Sequence, residues 1–354
     1  MAIFLILSAA VFLLSCMKPR SKVIMAVQLI MMWLLLGWNS GGIDFLGNES
    51  IYYVMSGQKK FTGFSSGWFS NMIAYFGHQH DLTFIGYNIV TTFCAMLIIG
   101  LILYYESEKP CIVLNLFLIY PFVDSIIQKR FFLGMVFILL GLFLLMKEKR
   151  MWFFVCVAIA IGFHFSFYFY IPLFFVTKIK ERNFRYYVAA FLIVESFILF
   201  SGLNLLEKIL DTRKVELYMS VSNFSSWFVS IAFVITTIGY IYIINKICCI
   251  LEQTKDVIFL KQINIAFAVI IPLLYFDAIF LRFYRVVLIL AFIIITNQLK
   301  KPLIKRFKLN LSKQNQWFLL LIAYFLVLNI LIYSMGEGGA SGFLETMLTN
   351  QLLS

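Results

Sequence analysis

Charge is scarce in this chain. Only 13% of its 354 residues are Asp, Glu, Lys or Arg, while 62% are hydrophobic and the mean hydropathy is +0.93, which excludes a water-soluble domain of ordinary make-up. No glycine-rich phosphate loop and no hydrophilic domain interrupts the apolar sequence, so a machine driven by bound nucleoside triphosphate is not expected. The six cysteines are scattered through apolar segments, apart from Cys248-Cys249 at a predicted helix end, and give neither a disulfide framework nor a metal knuckle. They read as small core residues. No internal repeat is found, which weighs against a transporter built on inverted repeats. No positive charge precedes the first apolar run, Ala2 to Cys16, whereas Lys18, Arg20 and Lys22 follow it at once. A cleavable signal peptide has the opposite order, so this run is expected to remain as a first helix with its N-terminus outside.

What is present is a series of apolar runs separated by short basic clusters. A net charge of +12 would point to nucleic acid in a soluble chain, but clusters lying between apolar runs are the orientation signal of membrane insertion. Nucleic acid is therefore not an expected partner. The pattern predicts an all-α, polytopic integral membrane protein of about 12 transmembrane helices, a single membrane domain over residues 1–354 with both termini exterior. Predicted spans include Leu82 to Tyr104, Cys111 to Ile127 and Phe131 to Met146, with Gln128-Lys129-Arg130 as the turn between the last two. Met151 to Thr177 reads as two short helices meeting near His164, since one tilted helix would put the basic cluster at Lys178 on the wrong side. Residues 39–81 form the larger exterior loop, in which Trp68, Phe69, Met72, Ile73 and Phe76 fall on one side of a helix lying in the interface. Residues 204–222 form a smaller exterior loop, and the basic stretch Lys300 to Lys313 is cytoplasmic. In this layout roughly 20 of the 29 Lys and Arg residues face the cytoplasm.

The basic residues that break the orientation rule are the first site candidates. Lys129, Arg130, Arg282 and Arg285 lie near outer helix ends, and Arg282 and Arg285 are spaced i, i+3. Arginine forks fit phosphate oxygens, so these side chains could hold a diphosphate without metal. Snorkelling from a helix end, or pairing with the nearby Asp124 and Asp277, is the competing reading. His164, in Gly162-Phe163-His164-Phe165-Ser166, could serve as a general base or as a donor to developing charge, or simply be a satisfied core histidine. His78 and His80 bracket Gln79 but have no third ligand beside them, so no zinc site is expected. Asp44 and Glu49, with Tyr52 and Tyr53, join carboxylates to aromatic rings, a combination that suits sugars as well as an ordinary interfacial belt.

Asp44 with Tyr52-Tyr53, then Tyr120-Pro121-Phe122 leading to Lys129-Arg130, then Lys147 to Arg150, Gly162-Phe163-His164-Phe165-Ser166 and Ile171-Pro172-Leu173, together resemble the EpsG/Wzy-like family of bacterial polysaccharide polymerases. The similarity is clearest over residues 39–173 and extends to Phe280-Leu281-Arg282-Phe283-Tyr284-Arg285. The family has glutamine after its arginine, where this chain has Arg130-Phe131 and places Gln128 before the basic pair. The resemblance implies a multi-pass protein of the bacterial cytoplasmic membrane. Its implied activity is to join oligosaccharide repeat units carried on undecaprenyl diphosphate at the outer face. From the residues themselves His164 is the leading candidate for the catalytic base and Asp44 the next, with Lys129, Arg130, Arg282, Arg285, Asp124, Glu49, Tyr52 and Tyr53 as candidates to bind substrate, and no cofactor is expected. A chain-length regulator and a flippase are the expected partners, besides membrane lipid. A flippase of lipid-linked sugars and a membrane O-acyltransferase using His164 are the competing classes.

Overall fold

A computed structural model describes residues 2–41, 44–56, 67–179, 181–201, 224–274, 278–299, 304–305, 308–309, 312–335 and 349–352. The 204–222 loop, Asp277 and most of the Lys300 to Lys313 stretch lie outside the described residues. Apart from a hairpin of two-residue strands, β1 (Ile304–Lys305) and β2 (Lys308–Leu309), and an isolated bridge between Asn39 and Asn350, the regular structure among the described residues is helical. Among them, five helices are long and apolar enough to cross a membrane, and further apolar helices are shorter. The chain divides into two compact units, one formed by residues 1–171 and 325–354, the other by 172–324.

The first unit begins with α1 (Ala2–Met17) and α2 (Lys22–Gly37), the latter started by Ser21, whose hydroxyl accepts from Ile24 N–H at 3.3 Å. The first polar loop supplies α3 (Phe45–Ser56) and α4 (Trp68–Gln79); α5 (Phe84–Glu106) follows under a Thr83 cap. The predicted span from Cys111 to Ile127 is two helices, α6 (Pro110–Ile119) and α7 (Phe122–Ile127), because Pro121 lacks the N–H that a continuous helix needs. The Tyr120–Pro121 peptide is cis. Lys129 and Arg130, expected in a turn, form the first helical turn of α8 (Lys129–Met146). α9 (Arg150–Phe163) packs antiparallel against α8 and ends at His164, after which a 3₁₀ segment runs from Phe165 to Lys178. Two short helices meeting at His164 are what the spacing predicts.

Polar contacts sort the turns of this unit to two ends. At one end Arg20 pairs with Glu108 at 3.6 Å, Lys147 pairs with Glu106, Cys111 N–H donates to Pro19 O at 3.3 Å and Lys22 Nζ to Tyr104 O at 2.9 Å. The turns that follow α1, α5 and α8 thus share one end. Between the ends, Gln28 Nε2 donates to Asn115 Oδ1 at 2.7 Å and Asn115 Nδ2 to Ser15 Oγ at 2.6 Å, a buried chain of amides that ties α1, α2 and α6. Such side-chain bonds matter where the surrounding solvent is lipid and apolar surface alone gives helices little reason to associate.

In α4 the small and polar residues, not the aromatic ones, are the most deeply buried. Ser70, Asn71, Ala74 and Gly77 are its buried stripe, whereas Phe76 is 55% exposed. Gly67 precedes the helix with φ +76°, a conformation that costs glycine least. Gly162 of α9 lets α4 dock: a Cβ there would stand 2.6 Å from Phe69 Cβ and 2.9 Å from the Trp68 ring. The neighbouring Phe163 meets Phe69 edge-on at 5.0 Å. Gly162→Val is therefore expected to push α4 off α9 at a cost of about 1–3 kcal/mol. A lowered unfolding temperature in detergent is the check, and an unchanged one would show that this contact does not seat the helix.

In the second unit, α10 (Glu181–Ser201) and α11 (Phe224–Ile250) pack with α12 (Lys255–Ala266), 3₁₀ turns over Phe267–Ile270 and Ala278–Phe283, the one-turn α13 (Ile271–Leu274) and α14 (Tyr284–Gln298). α14 is apolar all round from Val286 to Ile295 and buried all round, as the core helix of a large unit should be. Asn264, fully buried, donates to Ile241 O at 2.9 Å and accepts from Tyr284 Oη, fixing α12 between α11 and α14. α15 (Lys313–Met335) carries Tyr324, whose hydroxyl donates to Thr236 O at 3.1 Å within this unit.

Candidate functional site

At the other end of the first unit, α3, α4, α5 and α8 enclose a cavity of about 20 Å³, room for a single water. Lys129 and Arg130 enter it from α8, Tyr52 and Asn48 from α3, Ser70 and Asn71 from α4, and Tyr87 and Asn88 from α5. Placing two adjacent cations in the first turn of α8 adds their charge to the positive end of the helix dipole, so the position favours an anion.

Lys129 is 6% exposed, its ammonium donating to the main-chain oxygen of Asn39 at 2.9 Å and lying 5.5 Å from the centre of the Phe45 ring. Arg130 is partly buried beside it. Among the described residues no ion pair joins either to a carboxylate, and Asp124, the nearby candidate partner, is buried on α7. A structural cation would meet a carboxylate; among the described residues neither member of this pair does, and Lys129 is too buried to snorkel.

The polar lining is ordered. Tyr52 Oη donates to Leu82 O at 2.5 Å, Tyr87 Oη lies 3.1 Å from Ser70 Oγ, and the two tyrosine rings stand 5.1 Å apart. Burial, with Tyr53 and Tyr87 nearby, pushes the Tyr52 hydroxyl above its ordinary pKa, so it stays a donor. Asn88 Nδ2 is buried with no hydrogen-bond partner. An amide left unsatisfied in a polar cavity is a group waiting for an acceptor.

His164 is not part of this lining. Its ring packs 6.0 Å from Phe131, the residue after Arg130, and stacks on Phe165 at 5.5 Å. Nδ1 accepts from Ser166 N–H at 3.3 Å and lies 2.6 Å from Ser166 Oγ. A nitrogen that accepts from a backbone N–H carries no proton in the neutral ring, so the proton sits on Nε2 and His164 presents a donor.

The other sequence candidates are distributed around these groups. Asp44 is exposed just before α3, Glu49 is partly buried on it, and Tyr53 is 48% exposed with its ring 5.3 Å from Tyr52. Arg282 and Arg285 belong to the second unit: Arg282 ends the 3₁₀ turn with its guanidinium 5.5 Å from the Phe283 ring centre, and Arg285, 8% exposed, lies in the first turn of α14. Among the described residues no three His, Cys, Asp or Glu side chains cluster as metal ligands, and His78 and His80 are exposed at the end of α4. Ser70, Asn71, Tyr87 and Asn88 were not singled out by sequence. The signal for two of them was present, because Tyr87 and Asn88 are polar groups inside an apolar span.

Long apolar helices point to a multi-pass membrane protein. Residues 22–345 match the model of the EpsG family, and the chain belongs to that family. Membership points to a polysaccharide-polymerase-type membrane protein acting on a lipid-linked sugar. Neither a curated protein nor a solved structure matches the chain significantly.

Proposed function

We propose that the protein joins oligosaccharide repeat units carried on undecaprenyl diphosphate into a surface polysaccharide, at the outer face of the bacterial cytoplasmic membrane. It would do so as a single domain of about 12 spans with both termini outside. The observation that carries this reading is the pair of buried Lys129 and partly buried Arg130 at a helix N-terminus, beside hydroxyl and amide groups and joined to no carboxylate among the described residues. In the reaction a hydroxyl of the acceptor sugar attacks the anomeric carbon, the bond from that carbon to the diphosphate oxygen breaks, and the lipid diphosphate leaves with the bonding electrons. The acceptor's proton passes to a base or to water.

Lys129 and Arg130 take the charge that develops on the leaving diphosphate, with Arg282 and Arg285 as further binding candidates from the second unit. The cavity is too small for a sugar ring or a whole diphosphate, so a single diphosphate oxygen meets Lys129 and Arg130 there while the sugar lies on the α3 side, where Asp44, Glu49 and Tyr53 offer carboxylates and an exposed ring. Asp44 is the proton acceptor on this reading, and Nε2 of His164 donates to substrate. A chain-length regulator and a flippase complete the system.

Deletion of the gene is expected to abolish the long glycan and to accumulate single repeat units on lipid, accessible from outside the cell. Units trapped on the inner leaflet would instead identify a flippase. Polymer of normal length lacking acyl groups would identify an acyltransferase.

A further inference from the structure

Residues 349–352 fold back onto the end of α2, next to the groups that hold Lys129. Ser40 N–H donates to Thr349 O and Gln351 N–H to Trp38 O, each at 3.0 Å, so that Asn39 and Asn350 face each other as an antiparallel pair. Asn350 Nδ2 also reaches Leu34 O at 3.1 Å and Leu35 O at 3.2 Å. Both carbonyls belong to the last turn of α2, whose oxygens have no partner within the helix. Asn350 is 2% exposed and Asn39 fully buried. The main-chain oxygen of this same Asn39 accepts the Lys129 ammonium.

We propose that Asn350 is a positioning residue for the cationic site. By capping α2 and pairing with Asn39, it fixes the carbonyl that sets where the Lys129 ammonium can stand beside Arg130. The proposal rests on reading Lys129 and Arg130 as the diphosphate site. A lysine is a point charge on a flexible stem, so its place is decided by what its ammonium bonds. If the segment detaches, the Asn39 carbonyl is no longer held and the ammonium leaves the cavity. Displacements of about 1 Å in such groups cost on the order of 100-fold in rate.

The test is polymer output in the native host at matched protein level in the membrane. Asn350→Ala and Lys129→Gln are each expected to lose at least about 10-fold, and the double variant to do no worse than Lys129→Gln alone, since both changes remove one function. A double-variant loss equal to the product of the single losses would show that Asn350 acts elsewhere and would overturn the proposal. Full polymer from Asn350→Ala beside a loss in Lys129→Gln would overturn it while leaving the site. Full polymer from Lys129→Gln would remove both.

A cysteine pair guards against a folding defect in Asn350→Ala. Facing residues of an antiparallel pair whose hydrogen bonds flank them stand about 4.5 Å apart at Cα, within disulfide range. Asn39→Cys/Asn350→Cys is expected to form a disulfide, to make polymer in oxidised membranes and to lose that activity on reduction. Absence of the bond, or activity indifferent to reduction, would sink the proposal.

Discussion

Arg130→Lys is expected to lower polymer formation by about 100-fold while the protein still reaches the membrane. The substitution keeps the positive charge and nearly the same reach, so a site that needed only charge would tolerate it. A diphosphate presents paired oxygens that a planar guanidinium meets with two parallel hydrogen bonds, and a single ammonium cannot reproduce them. Loss of one donor to a developing oxyanion costs about 100- to 1,000-fold, which sets the scale. Lys129, one residue earlier, already supplies a point charge to the cavity, so a second lysine adds no geometry. Activity is read as polymer per protein, with accumulated lipid-linked single units as the complementary signal. Near-normal polymer from Arg130→Lys would leave charge alone as the role of this residue. Near-normal polymer from Arg130→Ala would remove it from the site.

The second large effect concerns His164, and the conservative variant carries the information. Ser166 engages Nδ1 through its N–H and its hydroxyl, so in the neutral ring the proton sits on Nε2. His164→Ala is expected to lose about 100-fold, the scale for removal of a donor. His164→Gln, whose amide donates from a comparable distance and takes no proton near neutral pH, is expected to stay within about 10-fold of wild type. Ser166→Ala should fall between them, because it frees the ring to turn without removing it. Equal losses in the Gln and Ala variants, with a pH profile that loses one limb, would instead make His164 the proton acceptor. Asp44→Asn would then be dispensable.

The membrane class and the helix break at His164 are legible in the sequence. Each follows from charge spaced against apolar length, a signal carried by neighbouring residues. The break at Pro121 was legible too but was read as one span, because an average over an apolar window hides a single missing N–H. Lys129 and Arg130 read as a turn in the sequence, since nothing local shows that α8 starts two residues earlier than its apolar run. The cavity itself was not legible. Ser70 and Asn71 sit on the side of α4 opposite its aromatic stripe, and only the docking of that helix shows that the small polar side faces protein. Least legible of all was Asn350, whose contact with Leu34 joins residues 316 positions apart and depends on no periodicity.

The amide chain through Ser15, Asn115 and Gln28 bears on how the protein is made. Gln28 leaves the ribosome 87 residues ahead of Asn115, so while α1 and α2 enter the bilayer the two halves of this bond are not both available. Polar amides stranded in lipid find whatever acceptor is at hand, and only the arrival of α6 gives this one its native partner. The first two helices are thus an unfinished assembly during translation. The order in which the chain is synthesised sets a waiting time before its N-terminal third can close.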